Sequence, residues 1–152
     1  DELVAQARAL PAASGVFDPD AEAFATPGAM ERKIDEALDA QGAARPDSMA
    51  GYVRVIIESF ARRYARAIGE LTEATGLAPD QLNLVGGGAR NRLLCDLTAQ
   101  ISGVTVVRGP IEASTFGSLL AQLETIGALA EEDRATVIAA SAATHVHVPT
   151  RS

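Results

Sequence analysis

A single lysine, Lys33, serves the whole 152-residue chain, and tryptophan is absent. With no Gly-Lys-Ser/Thr run either, this excludes a P-loop, whose lysine must reach the β- and γ-phosphates. One cysteine, Cys95, excludes an internal disulfide framework and suits a reducing cytosol. No apolar run approaches the ~18 residues that would suggest a membrane span. Basic charge is also scarce: 20 acidic residues against 13 basic ones leave −7 and a pI near 4.8. Such a chain repels phosphate backbones overall and is a poor nucleic-acid binder. What remains is ordinary globular material, 47% hydrophobic and 22% charged, at the length of one domain.

The first half reads as helices. Leu3, Val4, Ala7 and Leu10 form one stripe, which Pro11 ends. A loop with aromatic anchors Phe17 and Phe24 follows, and its Phe17-Asp18-Pro19-Asp20 run carries turn chemistry. A second helix follows Pro27-Gly28, with Met30, Ile34 and Leu38 inward and Gly42 as its stop. The third is predicted from Met49 to Thr75, capped by Asp47 or Ser48 and stopped by Gly76. Tyr52, Ile56, Phe60, Tyr64, Ile68 and Leu71 form its apolar stripe, widened at the start by Val53, Val55 and Ile57. The pairs Glu58–Arg62 and Arg66–Glu70 are expected on its opposite, solvated face.

After Pro79 the period changes. A strand over Gln81–Val85 runs into Gly86-Gly87-Gly88, then a helix from about Asn91 with Leu93, Leu94, Leu97 and Ile101 inward. Val104–Val107 is a second strand, apolar enough to be parallel and covered on both faces. A helix from Glu112 to Gly127, with Phe116, Leu119, Leu120, Leu123 and Ile126 inward, completes a β-α-β-α unit with a right-handed crossover. A helix around 131–141 and a terminal strand over 144–148 close the chain. The two strands of this unit are too few for an α/β sheet, which normally gathers four to six. Together with a start at Asp1, this predicts further strands in sequence outside the chain; the alternative is a homodimer through the open sheet edge.

Three glycines between a strand and a helix let a ligand approach the backbone closely, beside free N–H groups and the positive end of a helix dipole. Together these suit a nucleotide, although a plain strand-to-helix turn remains the competing reading. The run is not Gly-x-Gly-x-x-Gly, because Asn91 stands where the third glycine belongs. Asn91 either caps the helix or bonds a base or ribose; Arg90 and Arg92 either reach a phosphate or stay solvated. Glu112 reads as a helix-start carboxylate. His145 and His147 share a strand face with no carboxylate nearby in sequence, which argues against a metal site. Cys95 has no activating histidine and reads as inert.

The ordered set resembles a known family. Leu84-Val-Gly-Gly-Gly-Ala-Arg-Asn-Arg-Leu-Leu94 is similar to the adenosine-binding turn of the FGGY carbohydrate kinases, members of the actin and sugar-kinase ATPase superfamily. The spacing onward to Gly103-Val-Thr-Val-Val107 and Gly109-Pro-Ile-Glu-Ala-Ser-Thr115 with Gly117 fits as well. Glu112-Ala-Ser-Thr115, Phe17-Asp-Pro-Asp20, Pro27-Gly-Ala-Met30 and Ile57-Glu-Ser-Phe60 resemble the rhamnulokinase branch.

The resemblance implies an α/β, ribonuclease H-like domain with an incomplete mixed sheet, the C-terminal part of a two-domain enzyme. It implies ATP or ADP with Mg2+ as cofactor and a sugar, L-rhamnulose in that branch, as phosphoryl acceptor. Gly86, Gly87 and Gly88 would lie against the nucleotide and Asn91 beside its adenine or ribose. Glu112–Gly117 would be the supporting strand-to-helix turn near the domain interface, and its small residues Ser114, Thr115 and Gly117 by themselves read as letting the helix pack against a neighbouring backbone. The phosphate loop, sugar contacts and catalytic base would belong to a missing N-terminal domain, leaving no catalytic residue here. The alternatives are a kinase for another ketose or deoxy-sugar of the same family, and a non-catalytic nucleotide-binding or assembly module.

Overall fold

A computed structural model describes residues 2–141 and 145–149. Six helices and three strands follow in the order α1 (Glu2–Ala9), α2 (Met30–Asp39), α3 (Met49–Thr75), β1 (Gln81–Leu84), α4 (Arg92–Ser102), β2 (Thr105–Arg108), α5 (Ala113–Thr125), α6 (Arg134–Ser141) and β3 (His145–His147). Position 144, the first of the expected terminal strand, lies outside the described residues.

Helix ends sit where local chemistry puts them. Ser48, rather than Asp47, caps α3: its hydroxyl accepts from Gly51 N–H at 3.2 Å. Gly76 and Gly103 close α3 and α4 in the left-handed conformation, at φ 71° each.

The layers are built around α4. One side carries Leu93, Leu94 and Leu97 onto Ala7 of α1 and Ile57 and Ala61 of α3. The other presses Cys95 and Ala99 onto Val106 of β2, beside Leu82 and Leu84 of β1. A second core joins the 11–28 loop and α2 to the start of α3 through Phe17, Ile34, Leu38 and Val55, with Phe17 and Phe24 stacked at 4.4 Å. Val55 and Ile57 thus serve different cores, as the widened apolar face implies.

The sheet runs β1-β2-β3, β1 parallel to β2 and β2 antiparallel to β3. It is mixed and small. Leu82 pairs with Val106 and Leu84 with Arg108, while Val106 pairs with His147 and Arg108 with His145.

Four burial expectations are corrected. Glu58 is not on a solvated face: it is 2% exposed, because the 11–17 segment crosses that side of α3. The long stripe does not stay inward, since Phe60 and Leu71 are 40% and 55% exposed where neither core reaches. On α5 only Leu120 is buried; Leu119 and Ile126 face out. Nor is β2 fully covered, as Val107 is half-buried and its ladder mate Val146 exposed.

Candidate functional site

The three glycines do three different things. Gly86 adopts φ 74° and ψ −160°, a region that side chains disfavour, and its N–H donates to Pro110 O at 3.1 Å. That bond ties the end of β1 to the segment after β2. Gly87 opens a short 3-10 turn, Gly87–Arg90, and a Cβ built there would meet nothing within 4 Å. Gly88 lies over Leu94, whose Cδ2 a Cβ would meet at 3.8 Å. The open face of the turn is therefore Gly87.

Asn91 is the N-cap of α4: its Oδ1 accepts from Leu94 N–H at 3.1 Å. Its carboxamide Nδ2 makes no hydrogen bond among the described residues. A groove of about 510 Å³ runs beside the turn, lined by Val4, Arg8, Gly87, Arg90, Asn91 and Arg92. Polar groups converge on an apolar floor there, the makeup of a small-molecule site. A separate hollow of about 400 Å³ between Phe17-Asp18-Pro19 and Arg62, Arg63 and Arg66 lies outside this neighbourhood. Its charges are already matched, Arg63 to Asp20 and Arg66 to Asp18 at 2.9 Å.

Gly109 has a role the sequence pattern did not separate from simple strand breaking. Its N–H donates to Leu84 O at 2.9 Å, and a Cβ there would lie 2.8 Å from Val85 Cγ1. Only glycine lets the ends of β1 and β2 close up beneath the turn. Glu112 stands before α5 without a side-chain cap and is exposed. Gly117 faces open space, and Ser114 and Thr115 are exposed, so among the described residues no backbone packs on them.

Two further predicted residues meet new surroundings. Cys95 is fully buried, and burial pushes its thiol above the ordinary value, only partly opposed by the charge of Arg108. His147 does have a carboxylate beside it, from α4: its Nδ1 lies 2.5 Å from Asp96 Oδ1, and Asp96 also pairs with Arg8. No group of three His, Cys, Asp or Glu able to hold a metal occurs among the described residues. No described helix is long and apolar enough to cross a membrane.

A helix-backed strand–glycine turn–helix–strand unit, with a capped helix start beside an open groove, defines an α/β domain. The same fold is found in a xylulose kinase from Rhodospirillum rubrum, at TM-score 0.62 and 19% identity, over 98% of this chain and 29% of that one. Residues 1–125 match the C-terminal domain of the FGGY family of carbohydrate kinases. The chain belongs to that family. It is 41% identical over 131 residues to a rhamnulokinase from Klebsiella pneumoniae subsp. pneumoniae and 38% identical to one from Enterobacter sp.. These alignments span 86% of this chain but only 27% of either relative.

Proposed function

We propose that the chain is the nucleotide-binding C-terminal part of a kinase that moves the γ-phosphoryl group of Mg-ATP to a hydroxyl of L-rhamnulose. The observation that carries this reading is the open glycine turn: unobstructed backbone at Gly87, beside a helix start whose cap, Asn91, uses its Oδ1 on the helix and keeps its Nδ2 unengaged among the described residues. The identity to rhamnulokinases supports the choice of sugar.

In this reading Gly87 and Gly88 admit the nucleoside against bare backbone, Gly86 shapes the turn, and Asn91 meets the base or ribose. ATP supplies the phosphoryl group. Phosphoryl transfer needs positioning, metal and charge stabilisation together. The described residues offer no metal cluster, so the reading assigns metal, sugar and base to a missing N-terminal domain.

The test is nucleotide titration followed by fluorescence or calorimetry. Gly87→Val should abolish the ADP response while keeping the fold, because its side chain enters open space. Leu77→Ala, at an exposed position after α3, should leave the response intact. No response of the wild type at millimolar ADP defeats the reading for this chain. Sugar-dependent ADP release by the 152-residue chain defeats the assignment of the base to the missing domain.

A further inference from the structure

The wedge between α4 and the β2–β3 ladder holds Arg108, Asp96 and His147, which do not line the groove beside the glycine turn, and meets Arg8 and Arg92, which do. Pairing of Val106 with His147 and of Arg108 with His145 puts all four side chains on one sheet face. It is the face of α4, since Val106 packs on Cys95 and Ala99. Arg92 and Asp96 are one turn apart on that helix, and Arg8 reaches Asp96 from α1.

Two buried atoms in this wedge lack a hydrogen-bond partner. They are Nε2 of His147, whose side chain is 9% exposed, and Nε of Arg108. Leaving such groups unmatched away from water is costly, so each calls for a partner, an ordered water or an ion. Charge is unmatched as well. Asp96 is occupied by Arg8 and His147, while Arg92 and Arg108 have no ion pair among the described residues. Burial and the charges of Arg108, Arg92 and Arg8, in that order, hold the His147 imidazole below its ordinary pKa. His145 lies exposed on the same strand face, and burial holds the thiol of Cys95, packed on Val106, above its ordinary pKa.

We propose that this wedge is an oxyanion site, in which Arg92, Arg108 and Nε2 of His147 together take one phosphate-type group. A cation is disfavoured by three guanidinium groups around one carboxylate. A tetrahedral oxyanion matches the surplus: Arg108 Nε–H donates to it, and Arg92 closes it from the helix side. Nε2 of the neutral imidazole can only accept, because Nδ1–H is given to Asp96. Binding therefore takes up a proton at Nε2, and the imidazolium sits between the anion and Asp96. The proton comes from solvent, no bond is broken, and affinity rises as pH falls toward the range where His147 titrates. The site does not depend on the nucleotide reading; its occupant is either a free anion or the phosphate tail of a larger ligand.

The chain contains two histidines, so 15N-histidine NMR resolves both, with exposed His145 as the internal reference. Sulfate is the first probe, because its charge is constant across the titration, and chloride at equal ionic strength is the control. Millimolar sulfate should move the His147 midpoint upward by about one pH unit while His145 stays near its own value. Arg108→Gln should remove most of that shift. Arg92→Gln, on the exposed first turn of α4, should weaken it without threatening the fold. Inorganic phosphate acting as sulfate does identifies a free anion; ADP acting where sulfate and adenosine do not identifies a nucleotide tail. Either result supports the site. An unmoved His147 under sulfate, phosphate and ADP alike overturns it, as does an equal shift in both arginine variants.

Discussion

The carboxylate of Glu58 accepts the backbone N–H of Ala13 at 3.0 Å, across 45 residues of sequence. The same side chain takes Arg54 Nε at 3.2 Å and Arg62 at 3.0 Å, while Arg54 also donates to Leu10 O at 3.1 Å. One buried acid thus clamps the chain leaving α1 onto the middle of α3.

Glu58→Gln should destabilise the protein by about 3 kcal/mol, because it leaves the Arg54 guanidinium, 11% exposed, without its counter-charge. Urea denaturation measures the loss. Arg62→Ala, at a guanidinium half in solvent, should cost under about 1 kcal/mol in the same assay.

The acid also sets a pH dependence. Burial alone would raise the Glu58 pKa, but the Ala13 N–H, Arg62 and Arg54 together outweigh it and hold the carboxyl below its ordinary 4.5. A depressed folded-state value means stability that is fully present above pH 4.5 and lost as pH falls through the folded value. Thermal melts of the wild type should show that decline, and Glu58→Gln should show a shallower one. Equal slopes would remove Glu58 from the account.

The turn glycines should separate by assay. Gly86→Ala should cost about 1 kcal/mol of stability, since its φ of 74° disfavours any side chain. Gly109→Ala should cost about 1–3 kcal/mol by driving a methyl against Val85. Gly87→Ala should be close to neutral in stability and act only on nucleotide binding. Three equal losses would mean that the turn is merely structural.

Asn91 has two roles to separate. Asn91→Ala removes the bond to Leu94 N–H and should cost about 1 kcal/mol, whereas Asn91→Ser keeps a capping oxygen and should cost little. If Asn91 also contacts nucleotide, Asn91→Ser should weaken ADP binding at unchanged stability. Parallel losses of stability and binding in both variants would reduce the residue to a cap.

These contrasts trace what was legible in the sequence. The ends of α3 and α4 could be read because Ser48, Gly76, Asn91 and Gly103 act through bonds within a few residues. The glycine turn could be located for the same reason, although which glycine is strained and which is open depends on how β1 and β2 meet. Glu58 was misread because its decisive contact is with Ala13, and helical spacing shows only the neighbours on α3. Asp96 and His147, 51 positions apart, meet only once β3 pairs with β2. The stripe at α5 obeyed helical spacing yet only Leu120 of it is buried and Leu119 and Ile126 are exposed, because periodicity gives a face and not its cover.

Cys95 gives the simplest check on the layer between α4 and the sheet. Its side chain is wholly enclosed with Ala99 and Val106, and burial raises its pKa, so both access and thiolate are withheld from a reagent. A water-soluble disulfide reagent should leave the native chain unmodified and take up one equivalent in denaturant. Under native conditions labelling then reports opening of this layer, and its rate should rise in Gly109→Ala, where β1 and β2 are pushed apart. Rapid labelling of the folded wild type would mean that α4 does not seal against β2, and the packing described for that layer would have to be abandoned.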